Sequence, residues 1–192
     1  MIASFAIISD LTSVETGPTK LRVSGSGLGL MLAAVLLGGG PAALVGALTI
    51  GVGWVRWREA AHLLRLNLAT WAWSGLATGL FFHAGTQAAG VGPQDVGFYL
   101  MVFAAFTVSL ILNFLPIAGY ASYHDGDAFV QKVREALAPL LSAQLFSGLL
   151  TMCAVYLAVQ LGTVGLAVLG LTFVIFQYLI GELLKSKQRS EE

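Results

Sequence analysis

The chain has 192 residues, 57% of them hydrophobic and only 10% charged, with a formal net charge of zero. Soluble domains carry about 25% charged residues, so a water-soluble fold of this length could not hide so much apolar surface, whereas a helical membrane protein has no need to. Zero net charge leaves no global nucleic-acid footprint, and a single cysteine, Cys153, excludes an intrachain disulfide and any multi-cysteine metal site.

Residues 1–23 begin with MIASFAIISDL, whose apolar part of about eight residues is too short for a span of about 20. It has no basic n-region and no clean cleavage site, so it does not read as a signal peptide. It reads as an interfacial segment or as the stub of a longer helix, followed by a polar connector over 12–18. Asp10 and Glu15 stand in this stretch. A carboxylate that enters a bilayer needs a partner and is a functional candidate, which makes Asp10 one.

The stretch 24–54 contains no charged residue. It divides at Gly38-Gly39-Gly40-Pro41 into two apolar halves, 24–37 and 42–54. Three glycines and a proline make a poor helix interior, at about 1 kcal/mol for each Gly and about 3 for Pro. Pro41 suits the first position of a second helix, where its missing N–H is no loss. The sequence therefore predicts helix, tight turn, helix. Each helix would be about 21 Å long, short for a hydrocarbon core of about 30 Å. Glycines at 27, 29, 46, 51 and 53 favour close helix contact. Gly25-x-Gly27-x-Gly29 follows no strand and is not a nucleotide loop.

The connector WVRWREAAHLLR then carries Arg56, Arg58 and Arg65, with Trp54 and Trp57 placed as membrane-interface anchors. A third segment covers 66–82, and the loop 84–95 has no Lys or Arg. A fourth covers 96–119, with Asn113 and a kink expected at Pro116. The loop 120–135 holds Lys132 and Arg134, and its second half reads as a surface helix begun by Asp127. Segments 137–160 and 163–183 follow, joined by a tight turn at Gly162. Basic residues cluster at 20–22, 56–65, 132–134 and 185–189 and are absent from 38–41, 84–95 and 160–163. Six membrane segments with both termini cytoplasmic satisfy the positive-inside rule at every loop. The fold expected is thus an all-α polytopic membrane domain over 24–184. Residues 1–23 precede it, and 185–192, KSKQRSEE, begin a cytoplasmic helix.

Candidate polar residues are few. Asn67 and Asn113 are intramembrane amides that must find partners, and both fall toward the cytoplasmic side. Gln144, Gln160 and Gln177 read as polar packing, with Gln177 retained as a coupling candidate near the end of the last segment. Trp71 and Trp73 read as packing or interface residues. His124-Asp125 is a polar loop with a helix cap rather than a metal pair, because His62 and His83 fall on opposite sides of the membrane. No catalytic constellation, metal site or cofactor site can be assembled, so the chain does not read as an enzyme.

The order of LRVSGSGLGLMLAAVLLGGGPAALVGALTIGV, a basic loop, HLLRLNLATWAWSGLATGLFF and LILNFLPIAG resembles the N-terminal multi-helix membrane domain of bacterial signalling proteins with HD-GYP phosphodiesterase or GGDEF cyclase domains. Gly40, Pro41, Asn67 and Asn113 fall on positions of that pattern, and KSKQRSEE is similar to the start of its output helix. The resemblance covers about 20–190. The upstream helix is reduced to 1–11 and neither output domain is present, so no cyclic-di-GMP chemistry resides in this chain. It implies a sensing or anchoring module of the bacterial cytoplasmic membrane, with the bilayer and a small-molecule ligand as partners. A cytoplasmic output domain, or a second copy through the C-terminal helix, would be a further partner. The same features are also similar to the small substrate-binding membrane subunits of energy-coupling-factor transporters, which implies transport instead; a purely structural subunit is a third expectation.

Overall fold

The computed structural model describes residues 2–11, 14–16, 21–23, 25–58, 60–126, 128–138 and 141–191. These residues are helical apart from a small antiparallel ribbon, β1 (Val14–Thr16) and β2 (Leu21–Val23), in which Glu15 is paired with Arg22. The helices are α1 (Ile2–Leu11), α2 (Ser26–Leu36), α3 (Gly39–Trp57), α4 (Ala61–Ala89), α5 (Val96–Asp125), α6 (Phe129–Leu137) and α7 (Leu141–Glu191). Two stretches, Val96–Asp125 and Gln144–Thr172, are long and apolar enough to cross a membrane. The second of these is not one straight rod. Gly162 has φ 59° and ψ −137°, a left-handed conformation open to glycine, and divides α7 into two arms. A methyl group on Gly165 would collide with the carbonyl of Leu157, eight residues earlier. In a continuous helix these residues would stand about 12 Å apart. The chain therefore folds back at Gly162, where the sequence predicts a turn.

The short helix α2 stands at the centre. Every residue from Ser26 to Val35 except Gly27 is buried, against α1, α3, α4 and α7. Its Leu28, Met31, Leu32 and Val35 form one core with Phe82 of α4, Phe98, Val102 and Ala105 of α5, and Ala154 and Val155 of α7. Its opposite side packs through Leu30, Ala33 and Ala34 on Ala6 of α1 and on Ala42 and Val45 of α3. The helix α1 also packs here, against α2 and α3. A Cβ on Gly29 would lie 2.6 Å from the Ala6 methyl, and the Gly25 N–H donates to Ser9 Oγ at 2.7 Å.

The break after α2 is narrower than the sequence suggests. Gly38 alone leaves the helical path, with φ 97°, while Gly39, Gly40 and Pro41 form the first turn of α3. That turn lacks intrahelical N–H partners in any helix, so the missing N–H of Pro41 costs little at its third position. Gly39 is retained in the helix for a different reason: a Cβ there would lie 2.5 Å from the Leu76 carbonyl. Gly46 likewise faces the Trp71 carbonyl and Gly75 faces Ala42, both too closely for a side chain, and Gly79 lies directly against the Gly39 backbone. This reciprocal seam, with Gly75 and Gly79 spaced as small-xxx-small, brings α3 and α4 into backbone contact.

Other boundaries also move. Segment 66–82 lengthens to the 29 residues of α4, ending at Gly90 with φ 64°. The expected segment 96–119 becomes the 30 residues of α5, which continue through Pro116 and on to a C-cap at Gly126. The kink expected there does not interrupt the helix, because Pro116 removes only the bond to the Leu112 carbonyl. The surface helix starts at Phe129, with Ala128 as its N-cap and no side-chain cap; Asp127 lies outside the described residues. Beside it, Asp125 accepts from Lys132 Nζ at 2.9 Å and contacts His124 Nδ1 at 3.0 Å.

The α3–α4 seam yields a direct expectation. Gly79→Val places a branched side chain on the Gly39 backbone and is expected to cost about 1–3 kcal/mol, the usual range for overpacking. Gly40→Ala, where a Cβ meets nothing within 4 Å, is expected to be neutral or slightly stabilising. Reversible unfolding of the two variants in detergent micelles checks the contrast, and equal midpoints would remove the seam's role.

Candidate functional site

Because α2 has only 11 residues, it spans about 16 Å, and its neighbours continue beyond its N-terminus. The space they enclose is a cavity of about 410 Å³, within the 300–1,000 Å³ range of small-molecule sites. Gly25, Ser26 and Gly27 of α2 form its roof. Trp71 and Ser74 of α4 form one wall, Phe106, Ser109, Asn113 and Phe114 of α5 a second, and Gln144, Ser147 and Thr151 of the first arm of α7 a third. Leu28, Leu30, Met31, Leu110 and Leu150 complete the lining.

Each wall is positioned by helical spacing. Ser109 and Asn113 are four apart on α5, and Gln144, Ser147 and Thr151 repeat at three and four on α7, so each set shares one face. The Ser74 hydroxyl meets Ser109 twice, at 3.0 Å to Oγ and 3.3 Å to the carbonyl, and so ties α4 to α5 at the wall. Thr151 Oγ1 donates to the Ser147 carbonyl at 2.8 Å. By contrast, the side-chain amides of Asn113 and Gln144 make no hydrogen bond to another described residue, although both are half-buried. No charged side chain lines the cavity.

Of the ligand or coupling candidates Asn67, Asn113, Asp10 and Gln177, Asn113 lines this cavity. Asn67 is half-buried on α4, one turn before Trp71, and is not part of the lining. Asp10 lies elsewhere, with its carboxylate against Gly53 of α3, where a Cβ would fall 2.7 Å from Oδ2. The side chain of Gln177 lies outside the described residues, as does that of Trp57. Gly38 and Gly39 serve the α2–α3 turn and the α3–α4 seam. Gly40 and Pro41 complete the first turn of α3. Trp54 and Arg58 form a cation–π pair at 5.6 Å, and Arg58 ends α3 in a left-handed conformation, φ 53°. Arg56 is exposed beside them.

Two residues assigned to packing in the sequence belong to the cavity. Trp71 lines it, whereas Trp73 is exposed, and Gln144 supplies one of the two unpaired amides. The signal that could have found this site is the recurrence of polar residues at helical spacing on otherwise apolar segments. His62, Tyr120 and His124 form a stack, with centroids 6.3 and 6.1 Å apart, that fastens the start of α4 to the end of α5. Among the described residues no group of three or more His, Cys, Asp or Glu could hold a metal ion.

No family model, curated protein or solved structure matches the chain.

The paired and unpaired polar groups should respond differently to removal. Ser109→Ala leaves Ser74 with one acceptor fewer and is expected to lower stability by about 0.6 kcal/mol, the average for such bonds between membrane helices. Asn113→Leu removes an amide with no internal partner and is expected to leave stability unchanged or raise it by about 1 kcal/mol. Unfolding midpoints of both variants test this, and a large loss for Asn113→Leu would place that amide in the packing rather than in an open site.

Proposed function

We propose that this chain is a multi-pass membrane sensor module. It would bind a ligand between α2, α4, α5 and α7 and pass the change in packing to a cytoplasmic partner through the second arm of α7. One observation carries the reading. The helix that supplies the third wall of the cavity, through Gln144, Ser147 and Thr151, is the same α7 that folds back at Gly162 and runs on to residue 191.

The membrane part of the proposal is supported by an inside-out distribution of side chains. Ser9, Ser26, Thr49, Thr70, Ser74, Thr78 and Thr151 are buried, while large apolar side chains such as Leu44, Leu80, Leu100, Ile111, Phe146 and Leu171 are exposed. Water would favour the reverse, and lipid tolerates this arrangement. The basic residues at 56, 58, 65, 132 and 134 gather at one end of α3, α4 and α5, which the positive-inside rule assigns to the cytoplasm. The hairpin ends at 38–41, 90–95 and 162 then face outward.

The sensor reading is preferred to transport because of where the cavity lies. It extends from the level of Ser74 and Ser109 toward Gln144, on the side of the basic end. A substrate-binding transporter subunit that captures its cargo from outside would place its cavity toward the 90–95 loop, beyond the Phe82–Phe98–Tyr99 ring cluster. The mechanism is a population shift, in which a ligand with different affinity for two packings of the bundle moves α7.

Cys153, the single cysteine, is exposed on the first arm of α7, which allows two tests. In a Cys153→Ala background, Gln94→Cys is expected to react with a membrane-impermeant maleimide in intact cells, and Arg56→Cys only after permeabilisation. Equal labelling of both would overturn the topology. In the Cys153 protein carrying Leu171→Cys, spin labels on the two arms report their separation. Ser147→Leu, which fills the cavity from α7, is expected to shift that distance distribution, and an unchanged distribution would overturn α7 as the transmitter.

A further inference from the structure

We infer that the cavity takes an uncharged, ring-bearing small molecule that both donates and accepts hydrogen bonds, an inference that rests on the ligand-binding reading above. Three observations converge. First, the polar part of the lining is made of hydroxyls and primary amides, without a carboxylate, ammonium, guanidinium or imidazole. A charged ligand would lose its hydration without gaining a counter-ion, and burying an unpaired charge is strongly unfavourable. Second, Asn113 and Gln144 each present a carbonyl and an amino group with no partner among the described residues. An amide satisfied only by another donor–acceptor pair selects ligands that carry both functions. Third, Trp71, Phe106 and Phe114 place three aromatic side chains on the lining, which suits a ligand that carries a ring.

The volume of about 410 Å³ bounds the size. It admits a one- or two-ring compound with a polar substituent. The amide oxygens of Asn113 and Gln144 can accept the ligand's donors and their amino groups can donate to its carbonyl.

Indole-3-acetamide and indole-3-acetate form a matched pair of probes, since they share the ring and differ in charge. Equilibrium dialysis of the full chain in nanodiscs against each, at millimolar concentration, reads the difference. The acetamide is expected to be retained at least about tenfold more tightly than the acetate. Gly27→Leu is the control, because Gly27 lines the cavity and a Cβ there meets nothing within 4 Å. The variant is expected to fold with an unchanged or higher melting temperature and to lose retention of the acetamide. Equal or tighter binding of the acetate would overturn the inference about ligand class while leaving the binding cavity in place. Retention of the acetamide that survives Gly27→Leu would place the binding elsewhere and overturn both readings. Retention of neither probe by the unmodified chain would overturn the ring-bearing, uncharged class.

Discussion

An 11-residue helix set among the longer α3, α4, α5 and α7 cannot fill the column it stands in. This mismatch between α2 and its neighbours is the constraint from which the rest of the structure follows. At its C-terminal end, α2 is held by the turn at Gly38 and by the close approach of α3 to α4 at Gly39, Gly75 and Gly79. At its N-terminal end, Ser9 of α1 accepts the Gly25 N–H. Held by these contacts at both ends, α2 leaves the space beneath Ser26 open. The cavity is therefore a consequence of helix length and glycine-set spacing, and its walls are whatever faces α4, α5 and α7 present at that level.

Those faces sort polar groups by how they are satisfied. A Thr hydroxyl in a helix can bond the carbonyl one turn back, as Thr49 does to Val45, Thr107 to Phe103 and Thr151 to Ser147. Such a group is accommodated in an apolar environment without help from another helix. A Ser can also join two helices, as Ser74 and Ser109 do. Asn and Gln are different, because a primary amide has two donors and an acceptor and a single helix offers no complete set of partners. Asn113 and Gln144 face open space at the same level of the bundle and lack internal bonds. Their partners are therefore whatever occupies that space. Among the described residues the buried Thr78 Oγ1 also lacks a partner, but the two amides differ from it in lining the cavity.

Composition and charge spacing were enough to read a helical, apolar chain, and Gly162 was legible as a turn because two apolar runs met at a glycine. The Gly38–Pro41 break was misjudged in extent. Propensity penalises Gly and Pro in a helix interior but not in a first turn, and the tertiary demand for close contact at Gly39 extended α3 backward. The same blindness to tertiary contact hid the α3–α4 seam, although Gly75 and Gly79 stand at a spacing readable in the sequence. Asn113, which lines the cavity, is conspicuous in the sequence as a lone amide in an apolar run. Gln144 was passed over as packing, since its significance lies in meeting Asn113 across two helices, and no single-segment pattern encodes that meeting. Asp10 was found as an isolated carboxylate, yet its neighbour Gly53 could only be supplied by the fold.

The route from cavity to second arm of α7 is shorter through α2 than along α7 itself. Following α7, a change at Thr151 passes about three turns to Gly162, where a glycine of positive φ joins the two arms. Through α2 the path is one turn. Met31 lines the cavity, and the adjacent Leu32 lies with Ile2 and Phe5 of α1 and Leu166, Leu169 and Gly170 of the second arm around one small space. A closely packed helix moves as a unit, and close-packed interiors transmit strain. On the proposed reading, a ligand that lifts the roof of the cavity would therefore act on the second arm by displacing Leu32. The hairpin at Gly162 would serve as the compliant joint that lets that arm respond without carrying the first arm with it. The close packing of α2 against its neighbours is then what would make the cavity's contents felt outside it.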